Sequence, residues 1–147
     1  AVSGMLGQFE NTVFCCEKAL AIIPNAVAVY ENYASALIEL KRHNEAIHAL
    51  QRALELNPAA INNLNRLGNL HRTLNNLSEA EICFRKIITM APDKIDACSN
   101  LAHILKESGR FQESIAVCEK SLSTGPVDIT ILTALLDSTP TNSMWRI

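Results

Sequence analysis

The chain has 147 residues, 48% of them apolar, with a formal charge of −2 and a pI near 6.1. This is enough apolar surface for a core that needs neither disulfide nor metal. It is too little clustered positive charge for a protein that works by neutralising phosphates or an anionic membrane, so nucleic acid is not an expected partner.

In chain order, residues 1–26 read as a partial unit whose second helix is predicted at about 9–22, running from Gly7 through Phe9, Thr12, Cys16 and Ala19 and closed by Pro24. Pro24, Pro58, Pro92 and Pro126 then recur every 34 residues. Proline lacks an N–H and restricts the residue before it, so equal spacing marks equal helical units. Three complete units follow, at 27–60, 61–94 and 95–128. In each, small and large residues occupy fixed columns: Ala34, Gly68 and Ala102; Ala46, Ala80 and Ser114, with Thr12 before them; Tyr33, Leu67 and Leu101; and Cys16, Leu50, Phe84 and Cys118. Within a unit the apolar positions fall on helical faces, Leu64, Leu67, Leu70 and His71 on the first and Ala80, Phe84, Ile87 and Ile88 on the second.

Short polar turns at Lys41 to Asn44, Asn75-Asn76 and Ser108 to Arg110 leave room only for antiparallel hairpins. Ser78 and Glu81 have the spacing of a capping box. A segment at 129–139, with Ile129, Ile131, Leu132, Leu135 and Leu136, reads as a terminal helix or the first helix of a further partial unit, followed by a tail at 140–147. The fourth unit, with Cys98, Ser114, Cys118 and Ser121 at packing positions, is expected to be the softest.

A 34-residue helix–turn–helix unit with Leu67-Gly68 in its first helix, Ala80 and Phe84 in its second and Pro92 at its close resembles the tetratricopeptide repeat. The resemblance covers nearly the whole chain and implies an all-α, right-handed superhelical solenoid of antiparallel helix pairs. First helices would line a concave surface. Stability in such arrays is a sum over neighbouring repeats, with the end units exposed. The bulky early position of the first helix is here Tyr30, Leu64 and Cys98, and His71 stands at a position usually filled by a packed bulky side chain.

On the face opposite the apolar seam, Asn62, Asn65, Arg66 and Asn69 form one stripe. One unit earlier the stripe is Ala28, Glu31, Asn32 and Ser35, and one unit later Asp96, Ser99, Asn100 and His103. Asparagine is a poor helix former, and its amide offers a donor and an acceptor suited to the backbone of an extended peptide. The column Asn32, Arg66, Asn100 is similar to the asparagine ladder in the repeats attached to O-linked N-acetylglucosamine transferases, with Arg66 interrupting it. The stripe does not resemble the basic clamp by which chaperone-associated repeats hold a C-terminal carboxylate, since Glu31 and Asp96 occupy two places where that clamp has cations.

The expected function is a non-catalytic scaffold that binds a protein or extended peptide in its concave groove. Two alternatives stand beside it: a substrate-recruiting segment of a larger enzyme such as an O-linked glycosyltransferase, and a homo-oligomer assembled through uncapped terminal helices. No cofactor, metal or catalytic residue is expected. His43, His48, His71 and His103 give no i, i+4 pair, and there is no phosphate-binding glycine loop. His71 reads as a packing histidine. Five cysteines without a C-x-x-C pair read as reduced thiols, Cys98 and Cys118 in the core and Cys15 and Cys83 partly exposed. With no apolar run near the roughly 18 residues of a membrane span and no basic-then-apolar leader, a cytoplasmic location is expected.

Overall fold

In the computed structural model, residues 2–124 and Leu136 are described. The expected helix at 129–139 and tail at 140–147 lie outside them, apart from Leu136. Seven helices are present among the described residues: α1 (Val2–Ile22), α2 (Val27–Glu39), α3 (His43–Leu56), α4 (Ile61–Thr73), α5 (Leu77–Met90), α6 (Ile95–Glu107) and α7 (Phe111–Thr124). The chain divides into two compact units, Ala1–Leu70 and His71–Ile147, with the division inside α4.

In the first unit α2 packs against both α1 and α3. The small column makes this possible: Ala34 and Ala46 are fully buried, so the two backbones approach closely, with Leu37 and Leu50 filling the remaining space. α1 begins at Val2, earlier than the 9–22 expected, because Gly4 and Gly7 are carried inside the helix rather than breaking it.

In the second unit α6 packs against α5 and α7. Ala80 and Ala102 take the small positions, Phe84, Leu101 and Leu105 the large ones, and Ser114 adds a hydrogen bond from its Oγ to the Ala102 carbonyl at 2.9 Å. Cys98 and Cys118 lie in this core as expected. Cys83 is buried too, which corrects the expectation of partial exposure. Its position is equivalent to that of Ala49, likewise buried, so this column packs on the core side of the second helix; Cys15, the equivalent position in α1, is exposed.

The turns joining first and second helices are alike in all three repeats. Lys41, Asn75 and Gly109 have φ of 60°, 62° and 76°. The amide of the next residue reaches back to the carbonyl five positions earlier: Arg42 to Leu37 at 2.9 Å, Asn76 to His71 at 2.7 Å, and Arg110 to Leu105 at 2.8 Å. This is the Schellman termination, in which one left-handed residue lets the chain satisfy the last carbonyls of a helix. Only Gly109 adopts that conformation without a Cβ penalty.

The capping box expected at Ser78 and Glu81 is not formed. α5 starts at Leu77 with Asn76 as its N-cap and no side-chain cap bond. Ser78 is thus already inside the first turn, and the Glu81 carboxylate is taken by Arg85 Nε at 2.8 Å and Arg110 Nη1 at 2.7 Å.

Candidate functional site

The residues singled out on the first helices separate into two groups, one in each unit. In the first unit α2 and α4 are linked by side-chain hydrogen bonds. Asn63 Nδ2 donates to Glu31 Oε1 at 2.8 Å, and Arg66 Nη1 donates to Ser35 Oγ at 3.0 Å. The Ser35 hydroxyl itself donates to the Glu31 carbonyl at 3.0 Å. That fixes the rotor so that an oxygen lone pair faces the guanidinium. Glu31 and Ser35 are half-buried, whereas Asn32, Asn62 and Arg66 are exposed and Asn65 is half-exposed. Among the described residues Ser35 Oγ is the one partner of the Arg66 guanidinium.

Asn63 was not among the sequence candidates, yet it is 1% exposed and ties Glu31 in place. Its repeat-equivalents are Val29 and Ala97, so an amide in an otherwise apolar column is a signal that a buried partner exists.

A cleft of about 420 Å³ opens between α1 and α2, lined by Phe9, Thr12, Cys15 and Cys16 on one side and Asn32, Ser35 and Ala36 on the other, with Asn11 at its edge. Its size falls within the range of ligand pockets. Cys16 and Ala36 are buried, and burial together with the neighbouring Cys15 pushes the Cys16 thiol up from its ordinary range. Ser35 both lines this cleft and accepts from Arg66, so the cleft and the guanidinium share one side chain.

In the second unit Asp96 is exposed, Asn100 and His103 are half-buried, and Ser99 is buried, packed rather than presented. Asn100 Oδ1 accepts from Arg72 Nη1 at a long 3.4 Å. His71 is buried as a packing histidine, and its Nδ1 has no hydrogen-bond partner. The strongest electrostatic feature here is on the second helices. Glu81 receives Arg85 and Arg110, and Glu113 receives Arg110 and lies 3.7 Å from Arg85. Burial pushes the Glu81 carboxyl up, but the two guanidinium hydrogen bonds outweigh it and hold the group below the usual carboxylate range. A charge in the column otherwise occupied by Ile47 and Ile115 was the sequence signal for this network.

No helix of the described residues is long and apolar enough to cross a membrane, and among them no group of three or more His, Cys, Asp or Glu side chains is placed to hold a metal.

Family models of the tetratricopeptide repeat match residues 25–93 and 97–128. The chain belongs to the tetratricopeptide-repeat family. Its helix pairs are those of an all-α solenoid. Sperm-associated antigen 1 of Mus musculus is 32% identical over 101 residues, which cover 69% of this chain and 11% of that protein. The chain thus spans about a tenth of the length of this curated relative. Among solved structures, MamA matches with a TM-score of 0.79 at 20% identity, covering 89% of this chain and 77% of that one. YrrB, described as a tetratricopeptide protein with an unusual peptide-binding site, matches with a TM-score of 0.76 at 14% identity, covering 92% and 70%. At those identities the structural likeness establishes the fold.

Proposed function

We propose that this chain is a protein-interaction scaffold that holds an extended peptide segment against the polar face of its first helices, without catalysing a reaction itself. The supporting observation is the arrangement in the first unit. Asn32, Asn62 and Arg66 are exposed, and Arg66 is pre-oriented by Ser35. Donors held in place before a ligand arrives lose little side-chain entropy on binding, which is how a modest surface reaches useful affinity. Amides that both donate and accept suit a peptide backbone irrespective of its sequence. The peptide-binding site described for YrrB is in keeping with this reading.

The same face serves equally well if the chain is a recruiting segment of a larger protein. Its short span relative to sperm-associated antigen 1 favours keeping that second reading, in which catalysis, if any, belongs to other parts of the molecule.

The test is a capture from cell extract with the wild-type chain and an Asn32→Ala, Asn62→Ala, Arg66→Ala triple variant of equal melting temperature. Loss of specific partners from the variant is the expected outcome. Identical captures would move binding off this face and leave self-association, read by light scattering against concentration, as the leading account.

A further inference from the structure

On the second helices α1, α3, α5 and α7, three columns stay exposed in every repeat, whatever lies on either side of it. One holds Phe14, His48, Ile82 and Ala116. One turn later a cation stands each time, Lys18, Arg52, Lys86 and Lys120. One turn earlier only α1 carries a charge: Glu10 takes the place of Asn44, Ser78 and Gln112.

Glu10, Phe14 and Lys18 thus form a single ridge of α1, four residues apart. Phe14 is 60% exposed, and Lys18 Nζ lies over its ring, 5.3 Å from the centroid. Among the described residues neither Glu10 nor Lys18 has an ion-pair partner. The same ridge runs on to Leu6 and Ile22, both exposed. A large apolar group flanked by unspent opposite charges is a surface suited to a partner.

This face is its own complement. In two α1 helices laid antiparallel with their Phe14 side chains together, residues equally far before and after Phe14 come opposite each other. Glu10 then meets Lys18 of the partner subunit, and Leu6 meets Ile22 of the partner subunit. On the neighbouring row Gly7 falls opposite Ala21 of the partner subunit, small against small, which lets the helices approach closely. Ring meets ring, carboxylate meets ammonium and apolar meets apolar.

We propose that the chain forms a twofold homodimer through α1, with Phe14 on the axis and two symmetric Glu10–Lys18 pairs across it. The occupant is a second copy because a face that matches itself under a twofold rotation needs no other sequence to complete it. One helix face per copy is a small interface, at or below about 1,200 Å² in total, so the dimer is a weak one, with a Kd of about 10–100 μM. The face belongs to a different helix from Asn32, Asn62 and Arg66, so dimerisation and peptide binding stand or fall separately. A dimer offers two such polar faces at once, which raises avidity for any ligand with two sites.

The test is sedimentation velocity on the full chain from about 1 to about 500 μM, spanning that Kd, with a reductant present so that exposed Cys15 does not cross-link the copies. A monomer–dimer equilibrium is expected. Phe14→Ala weakens it about tenfold. Glu10→Lys and Lys18→Glu each set like charges across the axis and weaken it about three- to tenfold. Mixed in equal amounts, these two charge variants restore association to the wild-type level, because each then supplies the charges the other lacks. All three sites are exposed, so melting temperatures stay equal. A monomer at every concentration overturns the proposal, as does a dimer indifferent to all three substitutions. Weakened single variants that do not recover on mixing overturn the antiparallel pairing of Glu10 with Lys18.

Discussion

The two units use the same packing columns, and each holds two arginines on carboxylates, Arg42 and Arg52 in the first and Arg85 and Arg110 in the second, while Arg66 and Arg72 bond to neutral side chains. What differs is how far each pairing reaches along the chain. In the first, polar side chains of α2 and α4 bond to each other through neutral groups, Ser35 and Asn63, and Arg66 keeps an open edge. In the second, Arg85 and Arg110 are saturated on Glu81 and Glu113 and join the start of α7 to α5. A cation whose hydrogen bonds are complete supports the fold and has little left to offer a ligand. One whose bonds are incomplete is available for recognition. The contrast gives Arg85 and Arg110 a role in stability and is the ground on which Arg66 is proposed for binding.

The largest expected effect tests what the units share. Leu50 and Phe84 occupy one column and are fully buried. Leu50→Ala should cost about 2–5 kcal/mol and Phe84→Ala about 3–5 kcal/mol, read from denaturant titrations. A much smaller loss at either position would show that the column is not equivalent in the two units. Ala80→Phe, which overpacks the small column, should cost about 1–3 kcal/mol.

The charge contrast is sharpened next. Glu81→Gln should destabilise by about 1 kcal/mol at neutral pH, since the carboxylate is largely enclosed by its two guanidiniums while the arginines themselves are partly solvated. The folded-state carboxyl lies below its ordinary value, so its stabilisation is present above the unfolded pKa of about 4.3 and is lost as pH falls through the folded value. The deficit of Glu81→Gln relative to wild type therefore closes in acid. Arg66→Gln in the other unit, by contrast, should leave stability within about 0.5 kcal/mol, as surface substitutions away from the core do. A large loss there would recast Arg66 as structural.

The turn column gives a smaller pair of effects with opposite signs. Gly109→Ala should cost about 1 kcal/mol by placing a Cβ at positive φ, with open space around it and therefore no packing term. Lys41→Gly should gain somewhat less than that, because glycine also loosens the unfolded chain. Smallest is a chemical distinction with no stability cost. Cys15 should react promptly with a thiol reagent in the native protein. Cys16, Cys83, Cys98 and Cys118 should react only on unfolding, with burial pushing Cys118 up to about 11.

The repeat was legible because it rests on packing that needs particular residue sizes at particular intervals: Pro24 to Pro126 mark the period, and Ala34, Gly68 and Ala102 require close helix contact whatever surrounds them. Polar pairings were less legible. Ser78 and Glu81 had the spacing of a cap, but spacing does not reveal that Arg110 reaches the same carboxylate from another helix. Cys83 differed from Cys15 although both occupy one column, because exposure depends on which helices cover the column and not on the column itself. The stripe at Asn32 and Arg66 could be placed on one face from periodicity. That Ser35 anchors one and that Asn63 lies buried beneath are facts of side-chain rotamers, which a sequence pattern does not encode.

The three reverse hydrogen bonds across the turns, from Arg42, Asn76 and Arg110, span only five residues each. Closing such a short segment carries little loop entropy, and chains dominated by local closures fold quickly. Every hairpin thus carries its own folding seed, and hydrogen exchange at these three amides should report the opening of each hairpin separately. The same design lets a repeat be gained or lost in units of 34 residues without redesigning its neighbours, since the instruction to turn back is written inside each repeat.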